Sequence, residues 1–393
     1  MASAHPTGET DLLLIRGRVI TATGTLTDGW VHISRGRIQQ IGNGEPVRAA
    51  SRNTRTVDVQ GAWVGPGFID VHVHGGGGYE VMDAAPHSLV GLATFLARHG
   101  VTSFLPTTFT ASAGETLAAL EHIARHLGPV PGGARVLGAH MEGPYLSEFR
   151  RGAHRKEFLQ HPDTAQMGTY LATGVVRKVT LAPELEGAAG LIQQLREHQI
   201  TVSAGHTDAT YDQTRQAAAA GVRQVTHIFN AMRGLHHREP GAAGAALALD
   251  TMSCEVIADG VHLDPAVLRL IHRAKGTAAV ILVSDAGKAA GLPEGRYQRA
   301  GRTMVAQDGA LRLPDGTLGG STGTLDASLR NYCAATGLSL DQAWCTVSTN
   351  PAKSIGIADR TGTIAIGKDA DLTVLSAEGH VQMTIAGGHL AHP

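Results

Sequence analysis

Two histidines one residue apart, His72 and His74, close the stretch Pro66-Gly67-Phe68-Ile69-Asp70-Val71-His72-Val73-His74, and four glycines, Gly75 to Gly78, follow. Side chains alternate across an extended strand, so residues two apart share a face. An apolar strand that ends in two co-facial imidazoles can grip one divalent ion, which makes metal-assisted hydrolysis the first chemistry to consider. Two ligands are not a site. The chemistry also needs further ligands and a group that moves a proton. Candidates recur downstream, each after an apolar run: His140-Met141-Glu142-Gly143-Pro144, Ser203-Ala204-Gly205-His206, Thr226-His227 and Ser284-Asp285-Ala286. His72 and His74 could complete one metal site, His206 and His227 a second, with Glu142 shared between them. A bound ion brings the pKa of its water towards about 7, and Asp285 is then placed to take that proton and pass it to a leaving group. A single histidine at a strand end is more often structural than a ligand, and Glu142 or Asp285 alone could cap a helix or a turn. Their joint occurrence at successive strand ends argues for a metal centre.

The elements that must position these residues alternate along the chain. Strands are predicted at 68–74, 102–107, 136–142, 178–182, 201–206, 224–227, 254–258 and 279–285, with helical patterns at 88–99, 115–126, 188–198, 211–220 and 265–274 among the intervening segments. Eight strands alternating with helices point to an α/β fold, a (β/α)8 TIM-like barrel, whose functional groups sit at the C-terminal ends of the strands. A doubly wound open sheet is the alternative. Short strands split by Gly and Asp turns occupy residues 11–59 and recur near the C-terminus at 362–375 and 381–389. Orphan hairpins are marginal alone, so both ends are expected to form one small β-sandwich domain. The predicted division is 1–60 and 356–393 for the two parts of that domain, and 61–355 for the catalytic barrel.

Composition agrees with a large enzyme core. The chain has 393 residues, 42% hydrophobic and 17% charged, enough apolar side chains for a sizeable interior. Lys plus Arg number 33 against 34 Asp plus Glu, a balance that argues against nucleic acid or an anionic membrane as partner. Cys254, Cys333 and Cys345 are widely spaced and form no CxxC. With a polar N-terminus and no long apolar run, they suggest a cytoplasmic protein.

Taken in order, these residues resemble the amidohydrolase superfamily, and within it the family of N-acetylglucosamine-6-phosphate deacetylases. The likeness runs from Pro66 to the segment Ile366-Gly367-Lys368-Asp369-Ala370-Asp371-Leu372. It includes Thr226-His227-Ile228-Phe229-Asn230-Ala231-Met232, Arg238-Glu239-Pro240-Gly241, Asp259-Gly260-Val261-His262 and Leu318-Gly319-Gly320-Ser321. The resemblance implies removal of acetate from an N-acetylated amino sugar phosphate. It implies Glu142, His206 and His227 as the main metal ligands and Asp285 as the catalytic acid/base. Some members lack the His-x-His pair and work with one metal; His72 and His74 make a second ion possible here. Zinc is the expected ion, with iron or another divalent cation as alternatives. Asn230 and Ala231 match a phosphate-contacting turn, and Arg238 a phosphate ligand that in some relatives reaches across a dimer interface. A homodimer is therefore implied. Ala153, His154 and His262 match sugar contacts, with His154 read as part of a mobile loop. Leu318, Gly319 and Gly320 match a loop closing over the sugar. The rival readings are hydrolysis of a cyclic amide, deamination of a purine, and a silent barrel serving as an oligomeric scaffold.

Overall fold

The computed structural model describes residues 11–46, 54–299 and 301–393. The polar N-terminus, residues 1–10, lies outside them. Eight parallel strand positions make the barrel: Phe68–Val73, Val101–Thr108, Arg135–Val136 with Ala139–Glu142, Val176–Leu181, Thr201–Ala204, Gln224–Val225, Ser253–Ile257 and Val280–Val283. Each pairs in parallel with the next. The eighth returns to the first through backbone bonds from Asp285 N to His72 O and from His74 N to Ala286 O, both 2.9 Å. The sheet therefore closes, which sets aside the open doubly wound alternative.

A helix follows every strand: Ser88–Arg98, Ala113–Arg125, Thr164–Leu171, Ala188–Glu197, Tyr211–Ala220, Gly241–Ala248, Pro265–Lys275 and Leu325–Thr336. Local signals start several of them. Ser112 and Glu115 form a reciprocal capping box, Thr210 and Gln213 another, and Asp264 caps a helix that opens with Pro265. Gly241–Ala248 is nearly all Gly and Ala and mostly buried, so it shows no apolar stripe to read.

The strands predicted at 201–206, 224–227 and 279–285 end earlier than expected, at Ala204, Val225 and Val283. His206, His227 and Asp285 instead adopt positive φ of 47°, 31° and 45°. The third strand is interrupted at Leu137-Gly138, where Gly138 takes φ 144°. Its pairing with the second strand slips by one residue between Val136↔Phe104 and His140↔Thr107. Such a bulge re-aims every side chain beyond it, and Glu142 lies beyond it.

The terminal strands form one eight-stranded sheet, joined in the order His389–His392, Val381–Ala386, Leu372–Leu375, Trp63–Pro66, Leu12–Thr21, Gly24–Ser34, Arg37–Asn43, with Arg55–Asp58 beside Leu12–Thr21. It has its own apolar cluster, including Val19, Val31, Ile33, Val64 and Leu372. Trp63–Pro66 sits between the N- and C-terminal contributions and runs through Gly67 into the first barrel strand. Trp344 locks that junction. Its ring packs on Phe68 with centroids 5.5 Å apart, and its Nε1 donates to Pro66 O at 2.8 Å. A Cβ on Gly65 would come within 2.1 Å of the Trp344 ring, so only glycine allows this approach. A four-stranded antiparallel sheet, Gly295–Arg299, Arg302–Gln307, Ala310–Arg312 and Leu318–Ser321, is inserted after the eighth strand. The sequence reading saw only its last strand, as a loop.

Trp344→Ala should lower stability by about 3–5 kcal/mol, the usual loss for a large aromatic removed from a packed core. Urea unfolding followed by fluorescence and circular dichroism measures this; an unchanged midpoint would show that the junction does not depend on the ring.

Candidate functional site

The C-terminal strand ends converge on one carboxylate. Glu142, at the end of the third strand, is 2% exposed. Its Oε1 lies 3.2 Å from His206 Nε2, 3.0 Å from His227 Nε2 and 3.4 Å from His72 Nε2. Its Oε2 lies 3.2 Å from both His74 Nε2 and His154 Nε2. The imidazoles also face one another: His72 and His74 are 3.3 Å apart through Nε2, and His206 and His227 3.2 Å. Asp285 closes the ring, with Oδ1 3.3 Å from His74 Nε2 and 3.5 Å from His72 Nε2.

The far ring nitrogens fix which side carries the proton. His206 Nδ1 is 2.9 Å from Arg150 O and His74 Nδ1 is 3.1 Å from Thr107 O. His72 Nδ1 is 3.1 Å from Glu255 Oε2. Carbonyl and carboxylate oxygens only accept, so Nδ1 of each of these three rings carries a proton and Nε2 is the atom turned towards the centre. Burial lowers His227 and, with the charge of His206, brings His154 down to about 3. His227 and His154 are therefore neutral at neutral pH, the form that ligates metals, whereas His74, which burial and Arg299 would lower, is raised by its hydrogen bonds to Asp285 and Glu142. Burial alone would raise both carboxyls. The surrounding imidazoles, His72 foremost, outweigh it and hold Glu142 and Asp285 well below the usual carboxylate range.

Such a set fits a divalent cation. Bonds of about 2.0–2.1 Å at tetrahedral angles place neighbouring donor atoms about 3.3 Å apart, close to the 3.0–3.2 Å spacings among Glu142, His206 and His227. Two groups of three could hold an ion: His72 with His74 and Glu142, and Glu142 with His206 and His227.

The centre floors a cavity of about 300 Å³. His74, Glu142, His206, His227 and Asp285 reach it, as do Ala153, His154, Asn230, Ala231, His262, Leu318, Gly319 and Gly320. His72 lies beneath, fully buried. His262 is held by Asp259, with Nδ1 2.6 Å from Oδ2. Burial alone would lower His262, but that hydrogen bond and charge raise it above its ordinary value.

Three placements are refined. His154, in the loop after Glu148–Arg150, is packed rather than exposed: it is 1% exposed, stacked on Phe109 at 3.8 Å, with Nδ1 2.7 Å from Thr110 Oγ1. Leu318–Ser321 is a strand, tied to the eighth strand end by Ser321 N to Asp285 O at 2.9 Å. Arg238 does not line the cavity; it contacts His237 at 2.7 Å and borders a separate surface depression with Tyr211 and Arg233.

The sequence reading missed Phe109, Arg150 and Arg299, which also line the cavity. Arg299 is buried, bonded to Glu80 at 2.7 Å and to Gly319 O at 2.6 Å. Its place depends on the inserted sheet, for which no motif stood out. Beneath the site, His140 bonds Thr180 Oγ1 at 2.8 Å, and Thr226 links Thr180 to Ser203 at 2.7 Å each. The hydroxyls give the buried ring a polar floor.

The chain is similar to known proteins over nearly its whole length. The chain is 39% identical to the N-acetylgalactosamine-6-phosphate deacetylase of Escherichia coli O157:H7 over 376 residues, covering 95% of this chain and 97% of that one. It is 36% identical to the N-acetylglucosamine-6-phosphate deacetylase of Bacillus subtilis (strain 168) over 378 residues, covering 95% of each. A point mutant of N-acetyl-D-glucosamine-6-phosphate deacetylase from Mycobacterium smegmatis, solved with N-acetyl-D-glucosamine-6-phosphate, superposes with a TM-score of 0.90. That pair is 34% identical and covers 98% of this chain and 100% of the other. Residues 63–391 match the amidohydrolase family. The chain belongs to the amidohydrolase family.

Proposed function

We propose that the chain is a metal-dependent deacetylase that hydrolyses N-acetylglucosamine 6-phosphate to glucosamine 6-phosphate and acetate. The observation that carries this reading is the Glu142 carboxylate caged by inward-facing imidazoles at the floor of a cavity, with Asp285 and His262 on its wall. One named relative is an N-acetylgalactosamine-6-phosphate deacetylase and another an N-acetylglucosamine-6-phosphate deacetylase, so the galactosamine epimer is the second substrate to try.

Glu142, His206 and His227 would hold one divalent ion, and His72 and His74 with Glu142 a second. Zinc suits the imidazole–carboxylate set, and iron or another divalent ion is compatible with it. When bound, the ion polarises the acetamide carbonyl and activates water at neutral pH. Asp285, kept ionised by its neighbours, accepts the water's proton and returns it to the departing amine. His262, its Nδ1 fixed on Asp259, donates to the acetyl oxygen as negative charge develops there. Ala153 and His154 pack against the sugar, and Leu318, Gly319 and Gly320 cover it. Asn230 and Ala231 face the phosphate, whose partners in a turn are backbone N–H groups.

Arg238 would complete the phosphate site of a second copy in a homodimer. Two features support this: Arg238 lies outside its own cavity, and Phe149 at the cavity mouth is 86% exposed. A cytoplasmic setting is part of the reading. Its support is that Cys254, Cys333 and Cys345 are all free and that, among the described residues, no helix is long and apolar enough to cross a membrane.

Acetate release, measured on the zinc-loaded protein with phosphorylated and unphosphorylated N-acetyl sugars, tests the function. Turnover should require the 6-phosphate; release of ammonia, or no hydrolysis of any N-acetyl sugar, would overturn it. Asp285→Asn should reduce kcat by about 10²–10⁴-fold, the usual contribution of a positioned acid/base, with metal content intact. Near-normal turnover would remove Asp285 from the role. Glu142→Ala should empty both halves of the centre in elemental analysis, because both use that carboxylate; retention of a full metal complement would show that Glu142 is not a ligand.

A further inference from the structure

Below the metal-binding face lies a pair of charged residues that the proposed chemistry does not use. Lys178, on the fourth barrel strand, and Glu255, on the seventh, are both completely buried. Lys178 Nζ contacts Glu255 Oε1, while Glu255 Oε2 stands 3.1 Å from His72 Nδ1. Each carboxylate oxygen thus has one assigned partner. Neither residue reaches the cavity, so neither can touch a substrate.

We propose that Lys178 and Glu255 are positioning residues for His72: together they hold its proton on Nδ1 and its ring in register, and so govern whether the His72–His74 half of the centre takes up a cation. The proposal rests on the metal reading above. Three observations carry it. First, a carboxylate accepts and never donates when ionised, so Glu255 selects the His72 tautomer whose Nε2 lone pair faces Glu142, 3.4 Å away. Second, the Lys178 contact occupies the other oxygen and ties the carboxylate to the opposite side of the barrel, which leaves His72 little freedom to swing. Third, the support is specific to one half. His74 and His206 are oriented by the backbone carbonyls of Thr107 and Arg150, and His227 Nδ1 has no partner among the described residues. Of these rings, only His72 depends on side chains for its orientation.

A purely structural role is the competing account. Buried ion pairs are weak contributors to stability, and a well-packed apolar pair of similar volume often replaces them without loss. That property makes the test clean. Lys178→Met combined with Glu255→Leu removes the charges and the acceptor together and leaves no unpaired buried ion. Glu255→Gln is the conservative partner, since its amide oxygen still accepts from Nδ1–H.

The experiment titrates metal-stripped protein with zinc against a chelator of known affinity, for the wild type, both variants and the double variant His72→Ala/His74→Ala. Long-range ¹⁵N–¹H spectra of histidine-labelled, metal-free protein follow the His72 tautomer, assigned by the signals lost from His72→Ala/His74→Ala. The expected wild-type result is two classes of zinc site. Lys178→Met/Glu255→Leu should weaken the class that His72→Ala/His74→Ala abolishes by about 10–100-fold, the usual effect of losing a residue that orients a ligand. It should leave the other class unchanged and shift His72 away from the pure Nδ1–H form. Glu255→Gln should keep that form and most of the affinity. A folded Lys178→Met/Glu255→Leu protein whose His72 keeps the Nδ1–H form overturns the positioning role. A tautomer shift with both zinc classes unaltered overturns the link to cation uptake. Wild-type protein with no zinc class at all sinks the metal reading itself, whatever the tautomer shows.

Discussion

One carboxylate ringed by imidazole nitrogens is the constraint on which the rest of the structure depends. Five imidazole Nε2 atoms lie within 3.0–3.4 Å of Glu142. The protons of His72, His74 and His206 are committed to acceptors on the other side of each ring. The Nε2 atoms of His72 and His74 also face each other at 3.3 Å, and those of His206 and His227 at 3.2 Å. A divalent cation fits that set: inward-facing nitrogens, ionised carboxylates and a buried setting where charge is weakly screened.

The barrel makes that cluster possible by delivering ligands from strands far apart in the chain to one rim. The delivery has a local mechanism. His206, His227 and Asp285 each leave their strand in the left-handed region, a conformation that costs a non-glycine residue about 1–3 kcal/mol. The extended ladder ends there and the side chains are presented over the barrel mouth. Glu142 is aimed by a different device, the register slip at Leu137-Gly138. The inserted sheet then roofs the cavity, fastened by Ser321 to the Asp285 carbonyl and by Arg299 to Gly319 and Glu80. Trp344, by pinning Pro66 and Phe68, anchors the strand that carries His72 and His74.

Much of this was legible beforehand. The alternation of apolar runs and helical patterns gave the barrel, because burial on both faces of a parallel strand leaves a continuous apolar signature. The polar residues that close those runs stood out for the same reason. What escaped has physical causes. The helix Gly241–Ala248 has no polar face against which an apolar stripe could show. The inserted strands alternate weakly and are half exposed, so they read as loop. His154 sits in a glycine-containing loop, and only packing against Phe109 and Thr110 reveals that it is buried. Lys178 follows Arg177 in its strand, and Glu255 is the one charged residue of its own; their meeting with each other and with His72 is set by barrel closure, and no local spacing encodes it.

The most direct test of the account is anomalous diffraction at the zinc edge from crystals of the active, zinc-loaded protein. The account predicts one ion within coordination distance of Glu142, His206 and His227, and a second between Glu142 and the His72–His74 pair. Active crystals with no ion bound to Glu142 would contradict it.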